Sequence, residues 1–471
     1  MELIESPLES LYFSARYKHT RSWRRRFGSR LVGNVESSQL KRNSTFLMGS
    51  QTVNAGLAFV FWVLAAHLFT TTEVGQGAAI VSFSALVANF SNLGLPSTLL
   101  RFLPLSPSRG GLYSACILFL VVTGTVGGGI SLLFIAHVSP NLSSVRTSWL
   151  VGSIVILLVV GNTLNPLLDV AIMAFRRGDL IVIEAALANT AKIVAIVALS
   201  ALGLKAIILA FLVMWYVGIA FDLAVTITKL MRGEQFRPRP KLILEQRRYA
   251  SANYLGGMMG VLPATLLPLI VLGRLNATQA AYFYMPLQIA TFLNVICGAV
   301  SQSLLSESSQ TDDLLTQKTL LGNAVTHLYR VLIPAALILG TGGWVILRVY
   351  GSSYARNGYP VLVCLCAASL FVAINWMGDT WLNIQKKSVA YFTMNSFNAI
   401  VVVASCYAAS SHGLLAIGAG WLVGQAISAT VYLVIFGKDG VFGILIASTR
   451  FARSNRDRVA RVERRGRTPT G

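Results

Sequence analysis

Residues 148–202 read SWLVGSIVILLVVGNTLNPLLDVAIMAFRRGDLIVIEAALANTAKIVAIVALSAL. Two apolar runs, 148–173 and 181–202, flank the basic turn RRGD, and each is long enough to cross a hydrocarbon layer of about 30 Å as a helix. Neither run keeps the polar face that a soluble helix of that length needs. Ten further runs of this kind cover 46–69, 76–98, 112–137, 206–228, 250–273, 281–304, 325–347, 360–384, 389–409 and 413–436. With 54% hydrophobic and 12% charged residues and a mean hydropathy of +0.64, lipid is the solvent of this chain. The pattern predicts an all-α polytopic membrane protein with twelve transmembrane helices.

Positive charge tests the map. The arm before the first span carries nine Lys and Arg residues, the even-numbered gaps carry 2, 2, 7, 1 and 2, and the tail carries nine more. The odd-numbered gaps hold only Arg146, Lys205, Arg274, Arg348 and Arg356. Basic residues stay on the cytoplasmic side, so both termini are expected in the cytoplasm. The net charge of +21 and pI of 10.2 are therefore topological, facing anionic headgroups. Nucleic acid is not an expected partner, since no module that reads it is present.

No apolar run precedes residue 46, so the first span is expected to insert without a cleaved leader. The five cysteines, Cys116, Cys297, Cys364, Cys366 and Cys406, all fall inside spans, where they act as small apolar fillers. No cofactor or metal motif is recognisable.

The sequence divides into a basic cytosolic arm (1–44), an N-lobe of six spans (45–228), a basic linker (229–249), a C-lobe of six spans (250–437) and a basic tail (438–471). The linker contains RPRP at 237–240, a breaker of regular structure. The halves share a short signature: FTTTEVG at 69–75 and LNATQAA at 275–281, offset by 206 residues, each close a first span. Either a parallel six-plus-six repeat or a chance match accounts for it.

NLGLPSTLLRFLP at 92–104 ends the second span, and DVAIMAFRRGD at 169–179 ends the fourth. With the twelve spans and the repeat, these residues resemble the polysaccharide flippases of the multidrug/oligosaccharidyl-lipid/polysaccharide exporter (MOP) superfamily, the Wzx type, over about 45–436. The resemblance implies two six-helix lobes facing a central cavity, and the carriage of a lipid-linked oligosaccharide from the inner to the outer leaflet of the cell membrane. It implies a polyprenyl-pyrophosphate-linked glycan and membrane lipid as partners, alongside other polysaccharide-assembly proteins.

Among candidate site residues, Lys192 lies near the middle of the fifth span, where a charge costs about 2.5–3.5 kcal/mol on insertion scales. Either it pairs with Glu184 or another acid, or it lines an aqueous path and attracts the substrate pyrophosphate, the role favoured by the resemblance. Asn162, Asn165 and Asp169 follow each other at spacings of three and four, on one face of the fourth span. That face either bonds to neighbouring helices or offers donors and acceptors to sugar hydroxyls. Gln51, Asn54, Asn189 and Gln425 are weaker candidates of the same kind.

Arg101, Arg330, Asp169, Glu184, Asp222 and Asp379 lie near the cytoplasmic ends of spans. They are either snorkelling helix-end charges or the wall of an inner vestibule, with Arg101 and Arg330 attracting the substrate. There Asp222, Asp379 and Glu184 could take up a proton or Na⁺ to drive turnover. Pro263 and Pro268 interrupt the seventh span and mark either a gating bend or a static kink.

A membrane-embedded glycosyltransferase or polymerase of polysaccharide assembly is a different class of reading. Such an enzyme needs acids at the membrane surface on a sizeable outer loop, whereas the first outer gap is only about seven residues long with one acid, Glu73, and the other outer gaps hold none. The expectation is a non-enzyme. A drug or cation antiporter of the same superfamily is the alternative transporter.

Overall fold

A computed structural model describes residues 29–138, 149–244, 247–309, 311 and 313–438. Most of the predicted arm and nearly all of the predicted tail lie outside these residues.

Among the described residues, twelve helices are long and apolar enough to span a membrane. In lipid every backbone N–H and C=O must be paired within its own segment, which leaves the helix as the default for these runs. They are α1 (Ser29–Leu68), α2 (Thr71–Ser91), α3 (Arg109–Val138), α4 (Trp149–Ala174), α5 (Gly178–Ala198), α6 (Leu204–Val225), α7 (Arg247–Arg274), α8 (Ala277–Ser308), α9 (Leu314–Tyr350), α10 (Ser352–Ile384), α11 (Ser388–Ala409) and α12 (Leu414–Lys438). A π-helical turn, Thr226–Leu230, extends α6.

Several boundaries differ from the sequence reading: α1 begins at Ser29 rather than 46 and α10 at Ser352 rather than 360, and two further differences have a local cause. The second span runs from Thr71 to Ser91, because Leu93 (φ 48°) and Gly94 (φ 74°) turn left-handed behind it. Leu95–Phe102 is a separate short helix that buries Leu95 and Leu99. The ninth helix starts at Leu314, capped by Asp313, whose side chain accepts from the Thr316 N–H at 2.9 Å. Polar residues such as Gln317 and Lys318 in its first turns had hidden that start from a hydropathy reading.

The six helices of each half pack in one scheme. α1 packs on α5, α2 on α4, α3 on α4, α4 on α6 and α5 on α6, and α7–α12 repeat those five pairings six helices later. Small residues allow the close crossings: a Cβ at Gly124 or Gly128 of α3 would stand 3.3 and 3.2 Å from the Cα atoms of Val160 and Ile156 of α4. Gly424 of α12 meets α11 the same way, a Cβ there lying 2.7 Å from Val402 Cα. The outer wall of α3 is a four-residue stripe of Leu118, Val122, Val126 and Ile130, each about half exposed, as a lipid-facing surface requires.

The repeat extends to the turns. Arg176 (φ 58°) and Lys386 (φ 56°) stand 210 positions apart in matching turns after α4 and α10. The next N–H reaches back five residues in each, Arg177 to Ile172 O at 3.3 Å and Lys387 to Leu382 O at 2.9 Å, which is a Schellman closure. At the same offset Gly203 and Gly413 open α6 and α12 with positive φ.

The lobes meet through α2, packed on α7 and α8. At the face opposite the basic linker, Phe59 meets Tyr350 with ring centroids 5.3 Å apart and Trp62 meets Tyr284 at 4.9 Å. At the linker face the Tyr254 hydroxyl donates to the Asn89 carbonyl. The linker lies on the start of α3, where the Arg239 N–H donates to Gly111 O at 3.1 Å.

Candidate functional site

The N-lobe gathers three carboxylates near its linker face. Asn165 and Asp169 are one turn apart on α4, Glu184 lies two turns into α5, and Asp222 ends α6. Their carboxylate oxygens lie within 4.8 Å of one another. Asp222 is fully buried, Glu184 and Asn165 are 6% exposed, and Asp169 is half-buried. The Asn165 amide donates to Asp169 Oδ2 at 3.3 Å. Asp169 Oδ1, Asn165 Oδ1 and both oxygens of Asp222 receive no hydrogen bond. Tyr113 of α3 and Thr226, also buried, border Asp222.

Space for this cluster comes from Gly218, one turn before Asp222. A Cβ there would overlap Glu184 Oε1 and stand 2.8 Å from Asn165 Oδ1. Among the described residues the ion pair present, Arg177 to Asp179 at 2.7 Å, does not involve the cluster. Two like unit charges within 4.8 Å of each other repel by at least about 3 kcal/mol at an effective dielectric of about 20, so the three carboxylates are not all ionised together unless a proton or a cation lies among them.

The C-lobe holds a cavity of about 520 Å³ between α7, α8, α10, α11 and α12. Asn375, Asn383, Asn395, Asn398, Gln425 and Asp379 supply its polar wall, with Trp376 and Trp421 among the lining rings. Asp379 Oδ1 accepts from Asn395 Nδ2 at 2.8 Å and from the Tyr432 hydroxyl. Asn375 Nδ2 donates to Gln425 Oε1 at 2.7 Å. Pro263 also lines this cavity; it and Pro268 are buried inside α7, which runs through both as one helix.

Lys192 is 3% exposed, and its Nζ lies 4.9 Å from the ring centroids of both Phe61 and Phe211. It makes no ion pair with Glu184. Trp62, which contacts the C-lobe, is edge-on to Phe61 at 5.1 Å, so the cation sits just behind the inter-lobe closure. Asn162 is half-buried on α4, and Arg101 and Arg330 are exposed; the Arg101 guanidinium rests 5.5 Å from the Phe102 ring centroid. Asn189 Nδ2 donates to Asn54 Oδ1 at 2.6 Å, tying α5 to α1.

The structure thus brings Asn165, Asp169, Glu184 and Asp222 into one cluster and leaves Lys192, Arg101 and Arg330 apart from it. Sequence reasoning missed the amide-rich C-lobe cavity and with it Asn375, Asn395 and Tyr432. A signal was available: NPLLDVAIMAFRRGD at 165–179 and NWMGDTWLNIQKKSV at 375–389 share Asn, Asp and a basic pair at one offset.

Comparison with known proteins returns one family model, described as polysaccharide biosynthesis protein, which matches residues 40–305. No curated protein sequence matches the chain. Among solved structures, a multidrug resistance MATE family transporter of the MOP superfamily in an inward-facing conformation is similar with a TM-score of 0.63 at 13% identity, covering 84% of this chain and 95% of that one. A MATE structure in complex with MaD5 is similar with a TM-score of 0.60 at 13% identity, over 87% of this chain and 96% of that one. A MOP superfamily transporter from Pyrococcus furiosus, described as having a binding pocket of reverse polarity, follows with 0.56 at 10% identity, over 86% and 95%. At these identities the likeness is one of fold.

Proposed function

The chain belongs to the polysaccharide biosynthesis protein family, of the MOP superfamily of membrane transporters, and from that premise we propose that it flips a lipid-linked oligosaccharide between membrane leaflets by alternating access. The observation that carries this reading is the C-lobe cavity. A wall of amides and one carboxylate around two indole rings is the chemistry that suits a sugar: amides both donate to and accept from hydroxyls, and the apolar faces of a pyranose pack on aromatic rings. Its volume lies within the usual range of small-molecule sites, about 300–1,000 Å³.

In this reading the basic linker face lies in the cytoplasm, and the contacts Phe59–Tyr350 and Trp62–Tyr284 close the outer side. The glycan enters from the inner leaflet with its polyprenyl tail left in lipid. Lys192 meets the pyrophosphate once that aromatic closure opens. The protein resides in the plasma or inner membrane and works beside other polysaccharide-assembly proteins.

Depletion of the protein in its host, followed by leaflet-resolved labelling of lipid-linked sugars, tests the proposal. Accumulation at the inner leaflet is expected; unchanged sidedness would overturn it. A drug or cation antiporter is the second reading, favoured by the buried carboxylates of the N-lobe, and export of lipophilic cations without any glycan phenotype would support it instead.

A further inference from the structure

The internal repeat allows each lobe to serve as a control for the other. At an offset of 210 residues Asn375 corresponds to Asn165, Asp379 to Asp169 and Tyr432 to Asp222, so these three positions are polar in both lobes. The rest of the polar wall of the C-lobe cavity is not shared. Asn383, Tyr391, Asn395, Asn398 and Gln425 stand where the N-lobe has Met173, Ile181, Ala185, Ala188 and Trp215. Since the N-lobe packs in the same scheme without them, the fold does not require this polar set, and its place around a cavity of about 520 Å³ points to a ligand.

The wall is also one-sided in charge. Asp379 is its carboxylate, and among the described residues that line the cavity there is no Lys, Arg or His. Three of its donors are already engaged: the Asn395 amide and the Tyr432 hydroxyl serve Asp379, and the Asn375 amide serves Gln425. Two of its acceptors are not served. Asn375 and Asn398, 5% and 8% exposed, each carry an Oδ1 that receives no hydrogen bond. A buried amide oxygen in that state costs free energy until an O–H or N–H of a ligand reaches it.

Taking the lipid-linked glycan proposed above as the substrate, we propose that this cavity is charge-selective: it accepts an uncharged sugar residue and rejects an acidic one such as a uronic acid, and Asp379 sets the preference. Sugar hydroxyls and acetamido N–H groups can donate to the unserved oxygens while the ring packs on Trp376 and Trp421. A carboxylate group on the sugar only accepts. It finds no cation in this wall and is brought up against Asp379, and like charges set together in a binding site are a means of refusing a ligand. The anionic part of the substrate, its pyrophosphate, has its cation elsewhere, at Lys192, which does not line the cavity.

Binding to the purified full-length protein in detergent tests this without a transport assay, because two of the eight tryptophans line the cavity and report on it by fluorescence. Three probes are titrated: methyl glucoside, methyl glucuronide, which differs in carrying a carboxylate, and methyl glucuronamide, in which that carboxylate is a neutral amide of nearly the same shape. Saturable binding of the glucoside and the glucuronamide is expected, with the glucuronide at least about tenfold weaker. Equal binding of glucoside and glucuronide overturns the proposal, as does a glucuronamide as weak as the glucuronide, which would make shape the cause, or no binding by any of the three.

Asp379→Asn keeps an Oδ1 for Asn395 and Tyr432 and removes the charge, so it should cut the glucoside-to-glucuronide ratio several-fold; an unchanged ratio takes the preference away from Asp379 and sinks the proposal. Asn398→Ala installs the residue of the N-lobe counterpart and deletes an unserved oxygen. It should weaken the glucoside several-fold without lowering the Tm, a split that a merely structural Asn398 would not give, and unchanged affinity counts against the site. The flippase reading fails separately. Selective binding in a protein whose depletion leaves lipid-linked sugars on their usual leaflet would keep the site and refute the flippase, whereas altered sidedness with three probes that bind alike would keep the flippase and refute the selectivity.

Discussion

Thr72 Oγ1 lies 3.2 Å from Thr278 Oγ1, a hydroxyl pair between residues 206 positions apart. The two threonines hold the same place in FTTTEVG and LNATQAA, and their surroundings explain the signature chemically. Thr70 caps α2 in a capping box with Glu73, and Asn276 caps α8 by accepting from the Gln279 N–H at 2.9 Å. Gly75, the small residue that ends the first copy, has no room for a Cβ against the Ala277 carbonyl. The signature therefore marks two capped helix starts that abut at the face closing the molecule opposite the linker.

That abutment predicts a switchable cross-link. Cysteines replacing Thr72 and Thr278 should form a disulfide under oxidation, since the hydroxyls they replace are already in contact and the five native cysteines lie inside helices. Transport should stop on oxidation and return on reduction. Adding Gly75→Ala should reduce the cross-linking yield several-fold, because the new methyl pushes α2 from α8 at a cost of about 1–3 kcal/mol. An unchanged yield would show that the closure adjusts without strain.

Sidedness is checked by labelling. If both termini lie in the cytoplasm, as the charge pattern predicts, an impermeant thiol reagent applied from outside should label a cysteine at Ser353, at the start of α10, and should not label one at Arg239 in the linker. Reversed labelling would invert the proposed direction of transport, although the fold would be unaffected.

Sequence legibility ended where function depends on contacts between helices. The twelve spans were visible because each is a local property, a long apolar run between polar gaps. Asp169, Glu184 and Asp222 were visible only as separate shallow acids, since their meeting depends on how α4, α5 and α6 pack. Asp222 and Asp379 looked like a matched pair, one per half, yet the packing matches Asp379 with Asp169 and puts Tyr432 opposite Asp222. Lys192 was identified by depth alone; the two phenyl rings that receive it come from α1 and α6. The error at the second span came from reading hydropathy through the left-handed turn at Leu93 and Gly94, where apolar residues continue although the helix does not.

The C-lobe network should behave as a unit. Tyr432→Phe removes one of the two donors to Asp379 Oδ1 and leaves Asn395 alone on it, and a lost hydrogen bond to a charged group costs about 1.5–3 kcal/mol. Thermal unfolding in detergent should record a lower Tm for this variant. In an Asp379→Leu background, with no carboxylate for the hydroxyl to serve, the same change should cost much less. Equal costs in both backgrounds would mean that the hydroxyl acts through a contact other than Asp379.

Lys192 offers the sharpest division between packing and charge. Its ammonium is 4.9 Å from two ring centroids, and a desolvated cation–π contact is worth about 2 kcal/mol, so the rings together offset much of the roughly 2.5–3.5 kcal/mol that a mid-membrane charge costs. Phe211→Leu should therefore lower the Tm more in the parent protein than in Lys192→Met, where the ring no longer faces a charge. A difference of about 1–2 kcal/mol in the double-mutant cycle is expected, and additivity would mean that the cation is solvated elsewhere. Transport separates the roles further. Lys192→Met keeps the length and apolar stem of the side chain and should fold to near-normal abundance, yet a flippase that draws a pyrophosphate toward this position should lose transport. Lys192→Arg, which keeps a positive charge and stacks on aromatic faces, should retain part of it. If Lys192→Met transports as well as the parent protein, the charge serves neither substrate nor path, and the anionic headgroup must be met by other cations, with exposed Arg101 and Arg330 at the linker face the next to replace.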